Sequence, residues 1–254
     1  MITDPGVLLL LVLAGVGAGL TGAIAGLASL VSYPALLAAG LPPVIANVTN
    51  TVAMLGTTAG AAAGARPELA GQRARIIPLC VITTVGGAAG GAVLLLTPSD
   101  AFTAIVPWLI GAASIVLMAG PRLRRLAEGA EHHGLRPATG VAAFFIGVYG
   151  GYFGAAAGVL MLALLVSVWT QPLARTNAAK NLVTGSANLL AAVVFSVTGK
   201  VVWTAALAVC LGSLAGSWLG STLVRHLPAT PLRIGIGVAG LGLAIVLGWQ
   251  AFTA

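Results

Sequence analysis

The chain has 254 residues, of which 59% are hydrophobic and 7% are charged. Soluble domains contain about a quarter charged residues, so this composition excludes a soluble globular protein and indicates an integral membrane protein. The net charge of +7 comes from 12 Lys and Arg against 5 Asp and Glu. Most of the basic residues lie in short connections between apolar segments, as in cytoplasmic loops, so we expect no nucleic-acid partner.

Four apolar segments come before a basic stretch in the middle of the chain. A helix needs about 20 apolar residues to cross a bilayer. Residues 6–40 are too long for one crossing and too short for two, and small residues at 22–29 interrupt them. We therefore predict two short helices joined by a tight bend, either a re-entrant hairpin or two tilted spans. Single crossings are predicted for the next three segments, at 43–65, 76–97 and 101–120.

The same order of segments returns after the basic stretch. Residues 137–170 are again long and apolar, and a Gly-rich run at 150–158 interrupts them, which predicts a second broken pair of helices. Three single crossings are then predicted, at 177–198, 201–224 and 231–252.

The basic residues indicate how the second broken pair crosses the bilayer. Two connections are expected to be cytoplasmic because they contain Arg66, Arg73 and Arg75, and Arg122, Arg124, Arg125 and Arg136. If 137–170 enters the bilayer and returns to the same side, then Arg175, Arg225 and Arg233 are cytoplasmic as well. A single crossing would place these three outside, so we predict that the pair enters and returns.

The two halves are predicted to be structural repeats. Residues 1–120 form the first membrane repeat, 121–136 a basic cytoplasmic linker, and 137–254 the second repeat. Asn47 corresponds to Asn177 at a separation of 130 residues. Each half has five segments when the broken pair is counted as two. Because five is an odd number, the halves are expected to have opposite orientations. The predicted fold is therefore an all-α integral membrane protein with two inverted repeats, each a broken or re-entrant helix pair plus three transmembrane helices.

Lys180 is the charged residue that lies well inside a long apolar segment. On a helix it shares one face with the polar residues Asn177, Asn181, Thr184 and Asn188. Such a face is expected to look into the bundle, because contact of a cation with lipid is costly. In the 130-residue register Asn50 lies opposite Lys180. The face that includes Asn50 is therefore predicted to meet the Lys180 face near the centre of the protein.

These two faces and the two bends predict a binding site for a small anion. Helix N-termini and Gly-rich bends favour anions through their free N–H groups and the helix dipole. The candidate substrate-binding residues are Lys180, Asn177, Asn181, Thr184, Asn47, Asn50, Thr51, Ser29, Gly154 and Gly158.

Other roles for these residues stay open at this point. Lys180 could extend to the cytoplasmic interface, since long cationic side chains do so readily. The Asn and Thr residues could simply form hydrogen bonds between helices. The Gly86/Gly90 and Gly212/Gly216 pairs are predicted to be helix-packing seams rather than ligand sites.

Over nearly its whole length the chain resembles the sulfite exporter TauE/SafE family. The similarity lies in SYPALLAAGLPPVIANVTN at 32–50, GGYFGAAAG at 150–158, ARTNAAKN at 174–181 and GKVVW at 199–203. The resemblance implies export or uptake of small sulfur-containing anions, such as sulfite or organosulfonates, across a bacterial or archaeal plasma membrane. The sequence departs from the family at 25–29, where AGLAS replaces the usual Gly-rich bend.

We therefore expect a secondary transporter that moves such an anion by alternating access, with a passive anion channel or facilitator as the alternative. No enzyme activity is expected, because no His lies in an apolar segment to serve as a base. No cofactor or metal is expected. The expected partners are a small anionic substrate and the lipid bilayer, and a homodimer is left open. All five carboxylates lie outside the apolar segments, which disfavours proton coupling through an intramembrane carboxylate.

Overall fold

The computed structural model describes residues 2, 4–128, 137–198, 200–223 and 229–253 of the chain. Over these residues all regular secondary structure is α-helical. The helices in chain order are α1 (Pro5–Ala25), α2 (Ala28–Ala38), α3 (Pro43–Gly64), α4 (Arg66–Leu69), α5 (Arg73–Leu96), α6 (Ser99–Glu128), α7 (Pro137–Tyr152), α8 (Ala157–Val168), α9 (Leu173–Val197), α10 (Trp203–Leu223) and α11 (Ala229–Thr253).

Both long apolar stretches form two helices, as the sequence predicted. α1 ends at Gly26, which has a left-handed φ of 77° that glycine adopts without strain. α7 is followed by Gly154, with a φ of 75°, before α8 begins. The second helix of each pair, α2 or α8, has only 11 or 12 residues. Each is therefore too short to cross a bilayer by itself.

Some predicted boundaries differ from the observed ones. α6 continues to Glu128, so the first part of the predicted linker is helical. α9 begins at Leu173, directly after its N-cap residue Pro172. The sequence placed this start at residue 177, since the polar residues before it lower the local hydropathy. Arg136 and Arg225 lie outside the described residues, as do the side chains of Arg124 and Arg233.

Five helices in the described part of the chain are long and apolar enough to cross a membrane. They are α1, α5, residues 99–123 of α6, α9 and α10. The predicted crossing at 231–252 is not among them, because the apolar part of α11 found there is the shorter Ile234–Trp249. The predicted crossing at 43–65 is not among them either, although α3 has 22 residues. Its Asn and Thr residues lower its hydropathy, and most of them are buried in the protein. The protein is thus a multi-pass membrane protein with one polar helix, α3, near its centre.

Glycine seams hold the long helices together. α1 packs along α10, where Gly212 and Gly216 face the backbone of α1. α7 packs along α5 in a similar way, with Gly86 and Gly90 facing the backbone of α7. The missing side chains allow the backbones to approach closely, which is how helices commonly associate in membranes. The two predicted packing seams are confirmed. α3 and α9 contact each other between these two pairs of helices.

Gly216→Ala should destabilise the protein, because the added Cβ would collide with the carbonyl oxygen of Val16 on α1. We expect a loss of about 1–3 kcal/mol in the free energy of unfolding. A thermal unfolding curve in detergent would show it as a lower midpoint. Gly242→Ala on α11 is the matched control, because no atom lies within 4 Å of the place that its new Cβ would occupy. Equal midpoints for the two variants would contradict the seam.

Candidate functional site

A small cavity lies where the two broken helix pairs meet. Its volume is about 70 Å³, whereas roughly 10–15 Å³ is enough for one water molecule. The cavity can therefore hold a few waters or a small solute. Its lining residues are Gly22, Gly26, Ala28, Ser29, Met54, Thr57, Thr58, Gly154, Gly158, Lys180, Asn181, Thr184, Gly185 and Asn188.

The two breaks touch each other through glycines. A Cβ on Gly26 would lie 2.9 Å from the Cα of Gly158, and a Cβ on Gly158 would lie 2.7 Å from the Cα of Gly26. Neither position has room for a side chain. The bend between α1 and α2 is thus held directly against the beginning of α8, and both bends line one cavity.

Lys180 lies inside the protein, with 1% of its surface exposed. Its ammonium Nζ donates a hydrogen bond to the carbonyl oxygen of Gly22 at 3.2 Å, in the last turn of α1. The side chain does not extend along the protein surface, as the interfacial interpretation required. Because the residue also lines the cavity, the ammonium group supplies positive charge there.

The amides beside Lys180 close the end of α1. Nδ2 of Asn177 donates to the carbonyl oxygen of Ala23 at 2.9 Å, and Nδ2 of Asn181 donates to the same oxygen at 3.3 Å. The last carbonyls of a helix have no partners within the helix, so they need donors from elsewhere. Asn181 lines the cavity, whereas Asn177 does not.

The polar face of α3 has a corresponding structural role. Nδ2 of Asn47 donates to the carbonyl oxygen of Tyr152, the last residue of α7, at 2.8 Å. The hydroxyl of Thr51 donates to the carbonyl oxygen of Asn47. Neither residue lines the cavity, and Asn50 does not line it either. Nδ2 of Asn50 instead donates to Oγ of Ser29 at 3.1 Å, so Asn50 positions a residue that does line the cavity.

The cavity is suited to an anion on three grounds. The first residues of α2, Ala28 and Ser29, line it, as does Gly158 at the beginning of α8. Helix N-termini present free N–H groups and the positive end of the dipole. Lys180 adds an ammonium group. The hydroxyl of Thr184 is buried with no hydrogen-bond partner among the described residues, so it is available as a donor.

The structure brings six of the ten sequence-predicted residues to the cavity: Lys180, Asn181, Thr184, Ser29, Gly154 and Gly158. It also adds Thr57 and Thr58 on α3, which the sequence analysis missed. These follow Asn50 by seven and eight residues, so helical spacing from Asn50 could have identified them. Met54 lines the cavity too, but an apolar residue in an apolar segment gives no such signal. No group of His, Cys, Asp or Glu suited to a metal occurs among the described residues.

A helical bundle with membrane-crossing helices and a charged internal cavity defines a multi-pass membrane protein of the transporter class. The family model "Sulfite exporter TauE/SafE" matches residues 11–247. The chain belongs to this family, which confirms the resemblance seen in the sequence.

Two related proteins also carry names that indicate a membrane transporter. The chain is 28% identical to "Probable membrane transporter protein YfcA" of Escherichia coli (strain K12), over 82% of this chain and 77% of the relative. It is 27% identical to a "Probable membrane transporter protein" of Haemophilus influenzae, over 91% of each chain. No solved structure matches the chain significantly. Family and relatives together indicate a membrane transporter.

Gly26→Ala should damage the protein more than Gly40→Ala does. Both glycines have a positive φ, 77° and 87° respectively, so both variants strain the backbone. Only the Cβ at position 26 would also meet Gly158, since nothing lies within 4 Å of a Cβ at position 40. We expect an additional loss of about 1–3 kcal/mol for Gly26→Ala, measured by thermal unfolding in detergent. Equal losses would show that the contact between the two bends contributes little.

Proposed function

We propose that the protein is a secondary transporter that moves a small anion across the plasma membrane by alternating access. The proposed substrate is sulfite, an organosulfonate or a similar sulfur-containing anion, in keeping with the name of its family. The observation that supports this most directly is the buried Lys180 ammonium in a cavity that also receives the N-termini of two helices, α2 and α8.

An anion in the cavity would find donors on several sides. The Lys180 ammonium and the Thr184 hydroxyl lie on α9, and the Ser29 hydroxyl and the first N–H groups of α2 lie opposite. The N–H group of Gly158, at the beginning of α8, completes the set. Oxyanions of sulfur present several acceptor oxygens, so they can use donors from different helices at once. Asn47, Asn50, Thr51 and Asn177 would support the site by fixing the helix ends.

The packing of the helices supports an inverted-repeat arrangement. α1 packs on α10, and their counterparts α7 and α5 pack on each other. α3 packs on α10, and its counterpart α9 packs on α5. Asn47 of α3 binds the end of α7, whereas Asn177 of α9 binds the end of α1. Such an exchange of partners is expected when two halves are related by a two-fold axis, which is a common basis for alternating access.

Contacts near α4 support a shared side for two of the basic connections. Nη2 of Arg175 donates to the carbonyl oxygen of Ala70 at 2.7 Å. Nε2 of Gln72 donates to the carbonyl oxygen of Arg175 at 3.3 Å. The connection between α3 and α5 therefore lies beside the beginning of α9. This is what an entering and returning second pair requires, and we infer that this side is cytoplasmic.

The Lys180→Gln variant tests the role of the Lys180 charge while retaining a donor for the hydrogen bond to Gly22. Glutamine retains an N–H donor for the end of α1 but has no charge. If the charge binds the substrate, we expect sulfite affinity to fall by roughly 100-fold, because a buried anion loses its compensating cation. The measurement is sulfite uptake into proteoliposomes, together with the thermal shift that sulfite causes in detergent. Lys180→Arg should retain part of the activity.

Lys200→Gln is the control, because Lys200 is exposed and lies outside the helices. Full transport by a folded Lys180→Gln protein would overturn the proposal. Counterflow and saturation in the wild-type protein are the expected signs of a transporter, whereas single-channel currents would favour the channel alternative.

A further inference from the structure

A second, smaller cavity lies beside the first one. Its volume is about 10 Å³, close to the space needed by one water molecule or one small ion. It is formed where α3 ends and where α4, α9 and α10 meet. Its lining residues are Ala65, Glu68, Ala174, Asn177, Ala178, Asn181 and Ser221.

Two of its lining side chains have buried oxygens that no described residue satisfies. Oδ1 of Asn177 and Oγ of Ser221 have no hydrogen-bond partner among the described residues, and these residues are 5% and 3% exposed. Because Nδ2 of Asn177 is committed to Ala23 on α1, Oδ1 is the end of the amide left for another partner. Buried acceptors of this kind are costly unless a ligand or a water binds them.

Helix ends of both signs surround these oxygens. Ala65 caps the C-terminal end of the 22-residue helix α3, whose negative dipole end attracts cations, whereas Ala174 lies in the first turn of α9, whose dipole end is positive. Glu68 adds a carboxylate. Two basic groups on α9 donate to other parts of the protein: the Arg175 guanidinium to Ala70, and the Lys180 ammonium to Gly22. Arg66 is exposed.

We propose that this second cavity binds a sodium ion. The lining contains the Glu68 carboxylate, amide oxygens and a hydroxyl, and hard cations prefer such oxygen ligands. Interrupted helices in secondary transporters commonly use helix C-terminal ends in this way. The set contains no sulfur or imidazole ligand that would favour a transition metal.

Sodium in the second cavity would be linked to the anion in the first, because Asn181 lines both. A cation on one side of Asn181 and an anion on the other attract each other across a short distance. Each should therefore raise the affinity for the other by the same factor. This coupling rests on the proposed transport function, whereas the sodium site itself does not.

Sodium binding can be measured without any substrate. The purified protein in detergent is incubated with radioactive sodium at constant chloride, and bound sodium is detected by scintillation proximity. We expect unlabelled sodium to compete, and potassium and choline to compete at least about tenfold more weakly. Ser221→Ala and Glu68→Gln should each weaken sodium binding by roughly tenfold, since the first removes an oxygen ligand and the second removes the negative charge of the carboxylate.

Ser217→Ala is the matched control, because Ser217 lies one turn earlier on α10 and donates to Leu214 outside the cavity. It should bind sodium like the wild-type protein. Thermal unfolding without sodium identifies any variant that fails to fold. If Ser221→Ala fails to fold, Glu68→Gln still tests the site, because Glu68 is partly exposed. Equal competition by choline, or unchanged sodium binding in both folded variants, would overturn the site.

A second measurement separates this site from the proposed function. Sulfite affinity is compared in sodium and in choline, and we expect it to be several-fold higher in sodium. Sodium binding without any response to sulfite would support the cation site and count against the proposed substrate. Sulfite binding that is independent of sodium would overturn the coupling. A response to pH alone, without sodium binding, would overturn the sodium assignment.

Discussion

The architecture depends on ending two helices inside the protein. α1 ends at Ala25 with Gly26 as its cap, α7 ends at Tyr152 before Gly154, and both leave carbonyl groups inside the protein. Within a bilayer such groups must find donors in the protein. Side chains of the other half provide them: Asn177 and Asn181 on α9 for α1, and Asn47 on α3 for α7. These hydrogen bonds between side chains of one half and helix ends of the other join the two halves.

The same breaks explain why the cavity is electropositive. Side chains donate to carbonyl oxygens at the ends of α1 and α7, which reduces the negative charge there. The N–H groups of Ala28 and Ser29 at the start of α2 and of Gly158 at the start of α8 border the cavity, whereas those of Val159 and Leu160 donate to Ala156. The contact between Gly26 and Gly158 brings both ends to one place. The proposed anion site therefore follows from helix breaks whose carbonyl ends are capped by side chains and whose N–H ends border the cavity.

The two helix breaks and the polar face of α9 could be predicted from the sequence alone. Small-residue runs marked both bends, and helical spacing placed Lys180, Asn181 and Thr184 together, because these signals are local. The roles of α3 could not be predicted in the same way. Asn47 binds Tyr152, which is 105 residues away, and repeat register does not fix how a helix is rotated about its axis. The sequence also placed Glu68 outside the apolar segments, and only the fold brings it beside α9.

The charge at the centre is asymmetric, and this bears on what can bind. In the repeat register Lys180 lies opposite Asn50, so only one of the two central helices contributes an ammonium group. Because an ammonium has three donors, Lys180 can contact an anion while it keeps its bond to Gly22 and leaves α1 capped. One such cation compensates one negative charge. An anion with two charges would need a second positive group nearby, and a sodium ion beyond Asn181 would supply it.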